Sequence, residues 1–149
     1  MIAVSRLDEF GAAAIEGCET LKSYEVVSTA AELKDVMDHV RDWPLLVIVM
    51  PTAQGDDVGR DNRAEINSIM FFVLKPLRES MTHEKRMELW AETQTGMKEL
   101  KEFIHDARCG DFKDMFLDTD FAHRVQEPEY NLLDCSGWSL VFDFSTDWM

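Results

Sequence analysis

The densest group of oxygen-bearing side chains is Gly55-Asp56-Asp57-Val58-Gly59-Arg60-Asp61-Asn62. Calcium binds where carboxylates converge in a short loop, and an EF-hand loop closes with a Glu at its twelfth position. Counting from Asp56 places Asn67 there, and counting from Asp57 places Ser68. Neither supplies a bidentate carboxylate, so the EF-hand pattern fails and a solvated loop is the default reading. The glycines build no phosphate cradle either, since neither GxxxxGK[ST] nor GxGxxG occurs. His105 and Cys109 are four residues apart and share a helix face, as zinc ligands do, but zinc takes four ligands. Asp106, Asp111, His123 and Cys135 form no second ligand pair. His39, His83, His105 and His123 each have the chemistry of a general base, yet none stands in a GxSxG, HExxH or catalytic-cysteine context. Glu79, Glu84, Glu88, Glu92, Glu99 and Glu102 read as the solvated face of a helix. The expectation is a non-enzyme with no catalytic residue, no cofactor and no metal. The residues best suited to meet a partner are Gly55, Asp56, Asp57, Val58, Arg60 and Asp61, together with Trp148, an aromatic of the kind that anchors interfaces.

The elements that must position these residues follow from hydrophobic spacing. Leu7, Phe10, Ala14, Cys18 and Leu21 recur at helical intervals, although Gly11 and Gly17 weaken that helix. Tyr24 to Ser28 reads as a short strand. Thr29-Ala30-Ala31-Glu32 is a capping box, in which Glu32 reaches back to the Thr29 amide. Leu33, Val36, Met37 and Val40 continue that helix to Trp43-Pro44, where the proline ends it. Leu45 to Met50 is apolar on both faces, as in a strand covered on both sides. Thr52 to Ala64 is expected to be a polar loop, and Ile66 to Leu74 a second buried strand, the two forming a long hairpin or a neighbouring pair. Thr82 caps the longest helix, 83 to 107, whose apolar stripe is Met87, Trp90, Met97, Leu100 and Ile104, widened by Leu89 and Phe103. Gly110 stops it. Asp111 to Phe121 is expected to be irregular or strand, Arg124 to Leu133 a strand broken near Pro128, and Asp134 to Gly137 a turn. Trp138 to Phe144 alternates, with Trp138, Leu140, Phe142 and Phe144 on one face and the mostly polar Ser139, Val141 and Asp143 on the other. The order predicts an α+β fold: a single mixed, mainly antiparallel sheet packed by an N-terminal helix, a short helix and one long helix. All 149 residues, 1-149, read as a single complete domain.

Composition narrows the function classes. The chain carries 29 acidic and 15 basic residues, a net charge of −14. That disfavours direct binding of a phosphate backbone. Its three cysteines are widely spaced, without CxxC, which fits free thiols in a reducing cytoplasm. The N-terminus lacks the apolar core of a signal peptide, and the apolar runs are too short to span a bilayer.

Leu45 to Pro51, the segment Thr52 to Ala64, Ile66 to Leu74, the helix from His83 to Ala107 and the Gly137 to Phe144 strand give a layout that resembles small tailed-phage virion proteins. The nearest type is the tail terminator or tail-completion (neck) protein. Asp111 to Pro128 is where that pattern is not matched. The resemblance implies a non-enzymatic ring-forming subunit, usually hexameric, at the head–tail junction or tail end. Its partners would be other copies of itself and other structural proteins, first in the host cytoplasm and then in the virion. An acidic lumen would let DNA pass without sticking. Two alternatives come from other classes. One is an acidic cytosolic regulator, or DNA-mimic inhibitor, of a basic protein; the other is a metal protein or enzyme using Asp56, Asp57 and Asp61.

Overall fold

Among the described residues the chain forms five strands, the predicted aromatic one included, and three helices. The computed structural model describes residues 2–56, 64–78 and 80–147, and at 54–56, 64, 117–118 and 147 the backbone alone. In chain order the elements are α1 (Val4–Gly17), β1 (Ser23–Val27), α2 (Ala30–His39), β2 (Leu45–Asp56), β3 (Ala64–Pro76), α3 (His83–Ala107), β4 (Leu117–Leu132) and β5 (Cys135–Asp147). They build one sheet in the order β1-β2-β3-β5-β4. β1 and β2 run parallel, and every other pairing is antiparallel. The fold is the expected α+β arrangement.

Alternation along the strands divides the apolar residues between two layers. On one face Leu46, Ile48, Ile69, Phe71, Val73, Leu140, Phe142 and Phe144 join Phe10 and Ala14 of α1 and Met97, Leu100 and Ile104 of α3 in the main core. Phe10 sits at its centre, its ring 5.3 to 5.7 Å from those of Phe71, Phe103, Phe112 and Phe116. On the other face α2 lays Leu33 and Met37 over Val27, Leu45, Val47, Leu74 and Cys135. Leu45 to Ile48 are fully buried because both layers meet there. α1 runs through Gly11 despite its low helix propensity. A Cβ at that position would lie 2.2 Å from the Tyr24 ring, so the glycine makes room for β1 to pack.

Local chemistry sets the helix boundaries. Thr29 Oγ1 accepts from the Glu32 amide at 3.1 Å. The Glu32 carboxylate turns to Ser28 rather than to the Thr29 amide, accepting from its amide at 3.0 Å and its hydroxyl at 2.6 Å. These bonds hold the Glu32 carboxyl below its ordinary pKa. α2 stops at His39, short of the expected Trp43-Pro44, because the backbone is already extended at Val40. α3 spans the predicted residues, with Thr82 Oγ1 accepting from Lys85 N. Met87 is not in its stripe; it is 55% exposed. Two residues rotate a helix by about 200°, so Met87 and the buried Leu89 point to opposite sides.

Three further expectations are corrected. Thr52 to Asp56 is strand, not loop, pairing in register from Thr52↔Ser68 to Asp56↔Ala64 beyond an irregularity after Val49. β4 runs unbroken through Pro128, which pairs with Trp138. β4 is an edge strand, and an edge tolerates a missing N–H. The turn before β5 is tighter than Asp134 to Gly137: only Leu133 and Asp134 lie outside the strands, at φ 49° and 63°. Two left-handed residues in succession match the twist of a two-residue hairpin. Residues 108–115 form successive turns that bring Phe112 and Met115 into the core. Among the described residues, no helix is long and apolar enough to cross a membrane.

Candidate interaction surfaces

Gly55 and Asp56 end β2, opposite Glu65 and Ala64 of β3. Asp57, Val58, Arg60, Asp61 and Trp148 lie outside the described residues. The sheet reaches this end as a three-strand ribbon, since β5 stays paired with β3 as far as Asp147↔Ala64. Within it Asn67 Nδ2 donates to Thr146 Oγ1 at 2.8 Å, a buried polar contact at the edge of an aromatic layer.

The histidines and cysteines do not assemble. Among the described residues no three His, Cys, Asp or Glu side chains group as a metal site. His105 Nδ1 faces Arg108 at 2.9 Å, and His123 Nδ1 faces the Asp120 carboxylate at 2.8 Å. Cys135 is buried on the α2 side. Two acids of α3 are not merely solvated. Glu99 accepts from Thr20 N and Oγ1, both at 3.0 Å, tying α3 to the turn after α1. Glu92 pairs with Lys75 of β3.

A surface missed in the sequence lies on the α2 side of the sheet. Val49 pairs with Met70, Met70 with Val141 and Val141 with Val125, so four apolar residues form one row across β2, β3, β5 and β4. α2 and its cluster cover this face over Val27, Leu45, Val47, Leu74 and Cys135, with Val49 and Phe72 partly buried against them. Val125 is 50% exposed and Ile66, further along the same face, 42%. Val141 was the signal available: it is the one large apolar residue on the outer side of an otherwise polar alternation.

A second missed surface lies on the opposite face, where α3 crosses β4. Lys98, Lys101, Glu102, His105 and Asp106 of α3 and Phe121 and Arg124 of β4 line an open groove of about 460 Å³, in which acids and bases are mixed. The Phe121 ring is flanked by the Arg108 and Arg124 guanidinium groups, 5.8 and 5.1 Å from its centre. These cations engage neutral acceptors. Lys101 Nζ donates to Gln126 Oε1 at 2.7 Å, and Arg124 to the Phe121 carbonyl at 2.8 Å. Burial lowers the Lys101 pKa; the neighbouring Arg124 and Lys98 push the same way, and Glu102 opposes them. The acids interspersed along α3 conceal this groove in the sequence.

The other edge of the sheet is acidic. Glu25 of β1, Glu32 and Asp35 of α2, and Asp42 beyond it line a groove of about 440 Å³ in which Arg41 and His39 are the basic side chains. Ser23 Oγ donates to the Asp42 carbonyl at 2.6 Å, fixing the chain after α2 against β1. No family model matches this chain, and a search of curated proteins finds no match to it.

Proposed function

We propose that this chain is a non-enzymatic assembly subunit that associates through its sheet into a ring, in the manner of the phage tail terminator and neck proteins it resembles. On this reading it works in the cytoplasm of an infected cell and then in the particle, with copies of itself and other structural proteins as partners. The observation that carries the reading is the Val49-Met70-Val141-Val125 row, which runs from partly buried residues of β2, β3 and β5 to the half-exposed Val125 on the β4 edge. An apolar row that opens to solvent at the β4 edge is a surface that association can bury. The acidic exterior suits a subunit that must not adhere to the DNA it surrounds.

Light scattering coupled to size exclusion tests this directly. The wild-type chain should run as a discrete oligomer. Val125→Lys, at an exposed position, should weaken that oligomer without lowering the melting temperature. A wild-type chain that stays monomeric up to millimolar concentration would overturn the proposal.

A further inference from the structure

The chain after α2 and the chain after β3 meet at one end of the sheet. Between them lies an open pocket of about 570 Å³, whose lining includes Arg41, Trp43, Lys75, Pro76, Arg78 and Met81. Among the described residues no acid lines it. The other two grooves differ: the one between α3 and β4 includes Glu102 and Asp106, and the one beside β1 is rich in carboxylates. In a chain of 29 acidic and 15 basic residues, a pocket whose charged lining is all cationic runs against the composition. Lys75 has a partner, Glu92 of α3. Arg41, which also borders the acidic groove, and Arg78 have no carboxylate within ion-pair distance among the described residues, as is true of several exposed cations elsewhere. What sets this pair apart is that both line one pocket, where an anion relieves their mutual repulsion. The walls are tied down. Lys22 N donates to the Pro44 carbonyl at 3.1 Å, Leu77 N to the Asp134 carbonyl at 2.8 Å, and Met81 N to the Arg78 carbonyl at 3.0 Å. Trp43 packs against the α2-side core. A pocket formed before its ligand arrives binds at a lower ordering cost.

We propose that this pocket binds a small molecule of mononucleotide size, one that joins a phosphate group to a flat ring. Two guanidinium forks argue for phosphate. A carboxylate is filled by one bidentate arginine, whereas a phosphate has oxygens for both. Lys75, already neutralised by Glu92, adds a third cation without adding net charge. The volume argues for more than a phosphate alone, since sites for small organic ligands run about 300–1,000 Å³ and this pocket falls inside that range. Trp43, Pro76 and Met81 supply the apolar lining that a ring would cover. The net charge of −14 weighs heavily against a polymer of phosphates laid along the surface. It weighs less against a single phosphate that touches this pocket alone. The pocket shares no residue with the apolar row, so ligand binding and assembly stand or fall independently.

Amide shifts in proton–nitrogen NMR, followed through four titrations, decide it. The probes are AMP, inorganic phosphate, adenosine and benzoate. AMP carries both features, phosphate and adenosine one each, and benzoate joins a flat ring to a carboxylate. AMP should move the amides around Arg41, Trp43, Lys75 and Arg78, and should bind about tenfold or more tightly than each of the other three. The double variant Arg41→Gln, Arg78→Gln changes two exposed positions. It should melt near wild type, which is checked first, and should raise the dissociation constant for AMP about tenfold or more. Lys98→Gln with Arg124→Gln, in the mixed groove between α3 and β4, should leave that constant unchanged. AMP that moves none of these amides at about 10 mM, or that binds the Arg41 and Arg78 variant as well as wild type, overturns the site. Inorganic phosphate binding as tightly as AMP overturns the ring half of the proposal, and benzoate binding as tightly overturns the choice of phosphate.

Discussion

Gly137→Ala is the substitution whose cost the structure defines most sharply. Gly137 stands opposite Leu74 where β3 and β5 pair. A Cβ there would lie 1.8 Å from the Val73 carbonyl oxygen, 2.9 Å from its carbon and 3.1 Å from Leu74 Cα. Ordinary contacts begin at 3.4 Å. The obstacle is backbone, so no side-chain rotation relieves it, and the strands must part by more than an ångström. Ladder bonds stretched that far are lost. Two such bonds at about 1 kcal/mol each, with one or two buried groups left unpaired at about 1–3 kcal/mol each, give about 3–8 kcal/mol. For a domain of this size that lowers the melting temperature by about 6–30 °C. Gly110→Ala is the control, since its Cβ would meet only the Asp106 carbonyl oxygen at 3.6 Å. Thermal unfolding followed by circular dichroism should separate the two clearly. A Gly137→Ala protein that melts within about 2 °C of Gly110→Ala, below 1 kcal/mol on the same scale, would refute the argument from close approach.

Three further outcomes follow from local chemistry. Burial pushes the Cys18 and Cys135 thiols up to about 11, while Cys109 is exposed; a thiol reagent at neutral pH should label one cysteine in the native protein and all three in denaturant. Thr29→Ala should cost about 1 kcal/mol in chemical denaturation, the usual value of an N-cap. The Glu32 carboxyl titrates below its reference of 4.5, so its contribution is present above that pH and is lost as pH falls through the lower folded value. Glu32→Gln should flatten stability against pH in that acid window, and an unchanged slope would count against the bonds to Ser28.

Most of the core was legible in the sequence because burial and periodicity coincide there. Leu140, Phe142 and Phe144 face the core as their alternation predicts, and α3 begins and ends where its cap and its last apolar turn place it. What was hidden lies where strands meet water. Thr52 to Asp56 and much of β4 are polar, so hydrophobicity gives no strand signal although the ladder continues. Pro128 argued for a break that an edge strand does not need. The partner surfaces were hidden for a further reason. Lys98, Lys101 and Arg124 meet only once α3 crosses β4, and Val49, Met70, Val141 and Val125 align only through three strand registers. The expected contact residues Gly55 and Asp56 proved to be paired strand, not an open loop.

The position of β5 in the sheet has a consequence for synthesis. β4 is made before β5 yet has β5 as its neighbour, and β5 then inserts between β4 and β3. While a ribosome is still making residues 135 to 147, the β3 edge that β5 will occupy is open, and Phe71 and Phe116 lack Phe142 beside them. Sheet completion therefore waits for β5 to be synthesised and depends on contacts distant in sequence, which fold slowly. An unfinished chain offers an apolar strand edge of the kind that chaperones protect and that neighbouring nascent chains can capture.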